Sequence, residues 1–301
     1  MANSNTNKSA EDLGYWLQWQ VPVCALIFIL PTATAIRLLR KRTGDVIDPA
    51  DLWVPCWRNL HPRWLLIYRA FSFLAMSLFL YQTVADFGFF VFFFYTQWTF
   101  ALVMVYFALA TIVSIRRCER KPIQNGEQDK FLNRESKEET IIEQQLGFLE
   151  NLMQIVYQVC AGAVVLTDVV FWCLLLPFMT GENFQLTLII GIMHSVNAVF
   201  LIIETTLNRL PFTWFGIVYF VMWSGAYVVF QWVLHACCFT WWPYPFLDLS
   251  TPLAPLWYLA LALVHIPCYG LYVLLTKAKH VSLPRMFPNA FVRVSAEKKQ
   301  S

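Results

Sequence analysis

Residues 152–179 read LMQIVYQVCAGAVVLTDVVFWCLLLPFM and contain a single charged side chain, Asp168. A helix needs about 20 mainly apolar residues to cross the roughly 30 Å of hydrocarbon in a bilayer. Inside lipid every backbone N–H and C=O group must be paired, which only helices and closed barrels achieve. The stretch lacks the alternation of a strand and is too long for a barrel strand. It therefore predicts a transmembrane helix.

Six further stretches have the same apolar character. The chain is 58% hydrophobic and only 14% charged, whereas a soluble domain usually carries about 25% charge. We therefore predict an all-α fold, a polytopic membrane helix bundle with about seven transmembrane helices embedded in the lipid bilayer. The predicted helices span residues 16–39, 64–85, 89–115, 152–179, 185–207, 213–235 and 256–276.

The placement of lysine and arginine predicts the orientation of the bundle. If all seven helices cross, 21 of the 22 lysines and arginines fall on one side, and Lys8 falls on the other. Cytoplasmic loops are enriched in both residues, so we expect a lumenal or outside N-terminus and a cytosolic C-terminus. The predicted regions are a disordered N-terminus (1–14), three spans (15–115), a charged cytosolic segment ending in a short amphipathic helix (116–150), four spans (151–277) and a basic tail (278–301).

The composition excludes some functions and suggests a compartment. A net charge of +3 is too small to indicate a nucleic-acid partner. The eight cysteines are scattered without a C-x-x-C pair, so neither a metal site nor a cofactor is predicted. The chain ends Lys298-Lys299-Gln300-Ser301, which resembles the dilysine retrieval signal of endoplasmic-reticulum membrane proteins. We expect that membrane first and the plasma membrane second, although a basic tail can also end this way by chance.

Ionisable side chains inside a membrane are costly and are functional candidates by default. Ionisable residues in the predicted helices or directly next to them include Arg69, Asp86, Asp168, His194, Glu204, His235 and His265. Arg69 lies near the cytosolic end of its helix, where its side chain is expected to reach the surface. His265 lies two residues before Pro267, and we expect it to bond a carbonyl group freed by that proline.

The fifth predicted helix carries a polar stripe. His194, Asn197 and Glu204 fall at about 0°, 300° and 280° if each residue turns by 100°. Such a stripe must face protein or water, and it serves either to bond helices together or to place a histidine base in a buried pocket. Thr99 lies 11 residues after Gly88 and His194 lies 11 residues after Asn183, the residues that mark the starts of two parallel helices, so each lies roughly 16 Å below the same boundary. A threonine becomes a nucleophile when a neighbouring base takes its proton.

Several motifs carry a resemblance to a known family. Residues 191–204 (GIMHSVNAVFLIIE) resemble the helix of the androgen-induced and androgen-dependent transmembrane family that reads Met-His-Thr and ends in Ile-Glu. Residues 242–247 (WPYPFL) resemble its Trp-x-Tyr-Pro-Phe-Leu loop, and residues 97–100 (QWTF) resemble its Leu-Thr-Phe element. Residues 95–99 (YTQWT) fit the rolling-stone-like branch, to which this sequence is nearer. The resemblance covers roughly residues 64–277.

The resemblance implies an intramembrane threonine hydrolase that cleaves fatty acid esters of hydroxy fatty acids. Thr99 would be the nucleophile and His194 the general base, with Asn197 and Glu204 as supporting polar residues, and no cofactor is implied. Thr96 lies one turn before Thr99 and is the competing match. Where the family has an aspartate three residues after its threonine, this sequence has Leu102.

Three other functions compete with a hydrolase. The rolling-stone-like branch implies a non-enzymatic protein that organises or fuses membranes. Seven spans with the N-terminus outside are also typical of a receptor, but no Asp-Arg-Tyr-like triplet ends the third helix, which reads Ser114-Ile115-Arg116-Arg117. A zinc hydrolase needs converging histidines or carboxylates, and no His-x-x-x-His pair occurs.

Overall fold

Seven long helical segments pack against one another in the part of the chain that the structure describes. The computed structural model describes residues 14–42, 49–119, 132–179 and 186–292. Within these ranges seven helical segments are long and apolar enough to span a membrane, which confirms the predicted all-α membrane bundle. The protein is therefore a multi-pass membrane protein embedded in a bilayer. The predicted disordered N-terminus, apart from Gly14, and the Lys298-Lys299 signal lie outside the described residues.

The long helices follow the predicted order. The main α-helices are α1 (Gln20–Lys41), α2 (Pro49–Trp53), α3 (Pro62–Phe87), α4 (Tyr95–Glu119), α5 (Leu132–Val170), α6 (Leu188–Met193), α7 (Val196–Leu207), α8 (Ile217–Cys237) and α9 (Ala254–Met286). Helix α5 continues as a π-helix over Phe171–Met179, and α6 with α7 forms the fifth span. Short 3-10 helices occur at Phe89–Phe93, Trp214–Gly216 and Pro245–Leu247.

Two helices are longer than their apolar stretches. The predicted amphipathic helix at 138–150 and the fourth span form one helix, because α5 begins at Leu132. Helix α9 continues to Met286, ten residues beyond the predicted end at Thr276. Lys279 lies in this extension, where its ammonium group donates a 2.5 Å hydrogen bond to the Asn208 carbonyl oxygen. Hydropathy marks the part of a helix that fits in lipid, and the helix itself ends where its backbone bonding ends.

The third span starts with a 3-10 helix that the sequence did not predict. Gly88 closes α3 with a φ of 74°, a left-handed conformation that favours glycine. A 3-10 helix over Phe89–Phe93 follows, and α4 begins only at Tyr95. A 3-10 helix rises by about 2.0 Å per residue rather than 1.5 Å. The predicted depth of Thr99 below Gly88 assumed an α-helix throughout and is therefore not valid.

A buried ion pair joins four helices of the bundle. Arg69 is 0% exposed, and its Nε and Nη2 atoms donate to Glu204 Oε1 at 3.0 and 2.7 Å. Its Nη1 atom donates to Ser114 Oγ at 2.7 Å and to the Leu52 carbonyl oxygen at 3.0 Å. The Tyr106 hydroxyl donates to the same Glu204 oxygen at 2.9 Å. The prediction that Arg69 reaches the surface is therefore wrong, because a buried carboxylate compensates its charge instead.

Hydrogen bonds to backbone carbonyl groups connect three segments at the end of the bundle that the charge pattern predicts to be cytosolic. The Cys56 N–H group donates to the Leu207 carbonyl oxygen at 2.8 Å, and the Val292 N–H group donates to the Cys56 carbonyl oxygen at 2.8 Å. The Trp57 indole N–H donates to the Thr206 carbonyl oxygen at 2.9 Å. These bonds connect the segment after α1, the end of α7 and the residues after α9.

We expect Arg69→Met to destabilise the protein by about 3–5 kcal/mol, because it leaves the Glu204 carboxylate buried without its partner. Thermal unfolding of the purified protein in detergent measures the effect. Arg63→Met is the matched control, since Arg63 lies on the same helix and is exposed. Equal melting temperatures for the two variants would contradict the structural role of the ion pair.

Burial predicts that Cys56 reacts slowly with thiol reagents. Cys56 is 0% exposed, its thiol donates to the Thr206 carbonyl oxygen at 3.0 Å, and burial raises its pKa. The thiolate is the reactive form, so at pH 7 alkylation of Cys56 should lag behind that of the exposed Cys237 and Cys238. Peptide mass spectrometry after timed alkylation of the folded protein measures the order, and early modification of Cys56 would show that this face opens.

The orientation of the bundle stays a prediction, and protease protection tests it. In sealed microsomes an epitope tag at the C-terminus should be digested by added protease, whereas a tag at the N-terminus should survive until detergent is added. The reverse pattern would place the lysine-rich face outside the cytosol and overturn the orientation derived from the charge pattern.

Candidate functional site

The fifth span is interrupted at His194. Helix α6 ends at Met193 and α7 begins at Val196, with Ser195 between them at φ −146° and ψ −38°. The uninterrupted helix assumed in the sequence analysis is therefore not formed around His194. As a result, the angle between His194 and Asn197 does not follow from a turn of 100° per residue.

The interruption places the His194 ring against the end of α5. The imidazole stacks on Phe171 with a centroid distance of 3.5 Å and an interplanar angle of 4°. The indole N–H of Trp172 donates to the His194 carbonyl oxygen at 2.9 Å, which satisfies a backbone group at the break. His194 is 8% exposed, and its Nδ1 atom has no hydrogen-bond partner in the described part of the chain. The stack fixes the ring and leaves one nitrogen unpaired.

Thr99 lies against the same end of α5. Its side chain is 0% exposed, and a 3.2 Å hydrogen bond joins its hydroxyl group to that of Thr167. Thr167 and Phe171 are four residues, or roughly 6 Å, apart along the helix axis. Thr99 and His194 therefore contact successive turns of one helix. No hydrogen bond joins the two side chains within the described ranges.

Asn197 and Asp168 complete this group, which we call the Thr99 cluster (Thr99, Thr167, Asp168, His194 and Asn197). Asn197 is 0% exposed, and its Oδ1 atom accepts from the Ala198 N–H group at 2.9 Å. The Asp168 carboxyl group lies close to the Asn197 side chain. Asn197 Nδ2 and Asp168 Oδ1 nevertheless form no hydrogen bond with described residues. Three buried polar atoms of the cluster, including His194 Nδ1, are thus unpaired.

Glu204 does not belong to the Thr99 cluster. Its carboxylate accepts hydrogen bonds from Arg69, Tyr106 and Asn208, the last at 3.3 Å. None of these bonds involves His194. The predicted supporting residues therefore separate, since Asn197 contributes to the Thr99 cluster and Glu204 to the ion pair.

The two competing threonines contact different elements. The Tyr95 N–H group donates to the Tyr244 hydroxyl oxygen at 3.0 Å, and Thr96 lies close to the same hydroxyl. Tyr244 belongs to the 242–247 loop, and burial raises its pKa to about 12, so it stays neutral. Thr96 thus faces this loop, whereas Thr99 faces α5.

A second polar chain crosses the bundle. The Tyr95 and Ser224 hydroxyl groups lie 2.9 Å apart, and His265 Nε2 lies 2.8 Å from Ser224 Oγ. His265 Nδ1 lies 2.7 Å from the Leu261 carbonyl oxygen. Pro267 frees the carbonyl of Leu263 rather than that of Leu261, so the predicted reason for His265 is wrong.

Sequence reasoning missed Thr167 and Ser224. Each is a single hydroxyl residue in an apolar run, VVLTDVV and VMWSGAY. Such residues usually bond their own helix, as Thr167 also does with the Ala163 carbonyl oxygen at 2.6 Å. Only the adjacency to Asp168 marked the position of Thr167, and nothing in the sequence marked Ser224.

In the described ranges no group of three or more His, Cys, Asp or Glu side chains is arranged to bind a metal ion.

Comparisons of the chain with protein-family profiles, curated proteins and solved structures found no match. The resemblance to the androgen-induced and androgen-dependent family thus stays an expectation from the motifs.

Proposed function

We propose that this membrane protein is an intramembrane hydrolase of lipid esters, with Thr99 as the nucleophile and His194 as the base. One observation carries the proposal: both side chains lie against successive turns of the end of α5, and His194 Nδ1 is unpaired there. Buried polar atoms normally have partners. An unpaired imidazole nitrogen near a buried hydroxyl group supports an acid–base role.

The chemistry follows from these groups. Thr99 Oγ1 attacks the ester carbonyl carbon while its proton passes to His194, directly or through one water. The bond to the alkoxy oxygen then breaks, and His194 returns the proton to the leaving alcohol. Water attacks the acyl-threonine with His194 again as base, which releases the fatty acid and restores Thr99.

Asn197 supports the step in which negative charge develops. Its Nδ2 group is a buried donor with no partner in the described residues, and such a donor stabilises the oxyanion if it points at the carbonyl oxygen. Removing one oxyanion donor typically costs about 100-fold or more in rate. The Asp168 carboxyl group lies close to the Asn197 side chain.

The surroundings favour an acyl-chain substrate. Apolar residues precede or follow the Thr99 cluster residues along their helices, and Phe100, Val103 and Leu166 among them are buried. Acyl chains of a membrane lipid match such surroundings without loss of hydrogen bonds. Fatty acid esters of hydroxy fatty acids, which the resemblance implies, combine two acyl chains with one ester. We also propose the endoplasmic reticulum as the membrane of this activity, because residues 298–301 resemble a dilysine retrieval signal.

A non-enzymatic role in membrane organisation is the second candidate. Thr99 and His194 share no hydrogen bond in the described part of the structure, and both are held by neighbours on α5. In this alternative the Thr99 cluster only joins helices, each bond contributing about 1 kcal/mol or less.

Mutation of the two residues separates these functions. Thr99→Ala and His194→Ala should each lower the hydrolysis of a fatty acid ester of a hydroxy fatty acid by about 100-fold or more, because each removes a reacting group. Thr99→Ser should keep a measurable rate. Release of free fatty acid by the purified protein in detergent is the readout.

Thr111→Ala is the matched control on the same helix, since among the described residues the Thr111 hydroxyl bonds only the Phe107 carbonyl oxygen of its own helix, at 2.7 Å. Thr96→Ala decides between the two threonines. Wild-type rates in both Thr99→Ala and His194→Ala would refute the assignment and favour the organising role.

A further inference from the structure

Ser224 is held between two polar groups from other helices. It lies on α8, with the Tyr95 hydroxyl of α4 at 2.9 Å and His265 Nε2 of α9 at 2.8 Å. The Thr99 cluster does not use any of these three residues in the chemistry described above. Three side chains that can transfer a proton therefore meet at one further place inside the bundle.

The contact between His265 and the Leu261 carbonyl group determines which atoms donate in the chain of Tyr95, Ser224 and His265. A carbonyl oxygen only accepts, so His265 Nδ1 carries the proton in the 2.7 Å contact with Leu261. In the neutral imidazole Nε2 is then the acceptor, and the Ser224 hydroxyl donates to it. The Tyr95 hydroxyl in turn donates to Ser224 Oγ. A hydroxyl group that donates to a histidine oriented by a third group is the arrangement of an activated serine nucleophile.

Phe220 packs on the His265 ring, while Ser224 and His265 both stay partly exposed. The His265 ring stacks on Phe220 with a centroid distance of 4.5 Å and an interplanar angle of 30°. Phe220 is 0% exposed and packs directly on Gly162 of α5. Ser224 and His265 themselves are only half-buried. The pair is thus ordered and is not enclosed by protein on all sides.

From this geometry we propose that Ser224 is a second nucleophile that accepts acyl groups from long-chain lipid esters, with His265 as its base. Ser224 Oγ forms a bond to the ester carbonyl carbon and passes its proton to His265 Nε2. The bond to the alkoxy oxygen breaks, and the alkoxide takes that proton and leaves as an alcohol. Water then cleaves the acyl-serine with the same base. Tyr95 donates to the oxyanion in both steps.

The chemistry at Ser224 uses neither Thr99 nor His194 as a reacting group, and a covalent probe tests it without a known substrate. A fluorophosphonate with a long alkyl chain is attacked by activated serines, with loss of fluoride and transfer of the hydroxyl proton to the base. We expect a phosphonate adduct on Ser224, located by peptide mass spectrometry of the full-length protein in detergent. The adduct on Ser224 should still form in the Thr99→Ala/His194→Ala double variant, which removes both reacting groups of the first site.

Variants distinguish a role of His265 as a base from a role in packing alone. His265→Gln keeps a polar partner for Ser224 but removes the base, so labelling should fall by about 100-fold or more. Tyr95→Phe removes only the hydroxyl group and should slow labelling by about 100-fold. Ser77→Ala is the matched control, since Ser77 is a half-buried serine of α3 that bonds its own helix through the Phe73 carbonyl oxygen at 2.7 Å.

Melting temperatures are measured for all variants, and only those that unfold like the wild type are compared. Absence of an adduct on Ser224 in the folded wild-type protein would overturn the proposal. Equal labelling in wild type and His265→Gln would overturn it too, because the histidine would then only join helices. An adduct confined to Thr99 would support the Thr99 hydrolase and reject Ser224, so the two sites fail separately.

Discussion

The arrangement of the bundle depends on compensating one buried charge. Arg69 is completely buried, and an uncompensated guanidinium group inside a membrane protein is far more costly than any single apolar contact is favourable. Its hydrogen bonds to Glu204, Ser114 and the Leu52 carbonyl group fix α3 against α7, α4 and α2. The Tyr106 hydroxyl adds a bond from α4 to the same carboxylate. The position of α7 relative to α3 and α4 therefore depends on charge pairing as well as on apolar packing.

The interruption of the fifth span links this charge pairing to the candidate chemistry. Because α7 is anchored through Glu204, the break before Val196 lets α6 take its own direction and turns His194 onto the end of α5. The π-helix that begins at Phe171 places Trp172 where its N–H group bonds the His194 carbonyl. Irregular backbone inside a membrane is tolerated where protein satisfies it, and such places are often functional.

Helix α4 contributes to both proposed sites. Tyr95 and Thr99 are four residues apart and therefore share one face of the helix. Thr99 bonds Thr167 on α5, and Tyr95 bonds Ser224 on α8. The Tyr244 hydroxyl, from the 242–247 loop, accepts from the Tyr95 N–H group and so holds the start of α4 in place. The motif residues 95–99 and 242–247 are thus neighbours in the fold, although about 150 residues separate them.

Local patterns explain why much of the fold was predictable. Each span is a long and predominantly apolar stretch, and the cost of placing unpaired polar backbone in lipid favours a helix there whatever its neighbours are. Asp168, His194, Asn197 and His265 were likewise visible as polar residues in apolar runs. Their partners were not visible, and the expected surface position of Arg69 and the expected role of His265 both failed for that reason.

The amino-acid sequence by itself determined the number of spans, their order and the residues that must be compensated inside the membrane, because hydrophobic length and charge are properties of each segment alone. Only the tertiary structure decided that Arg69 pairs with Glu204, that the helix breaks beside His194, and that Ser224 meets His265. These outcomes depend on which helices become neighbours and how they are rotated. Contacts between side chains 41 to 135 positions apart settle that choice, and no local pattern encodes them.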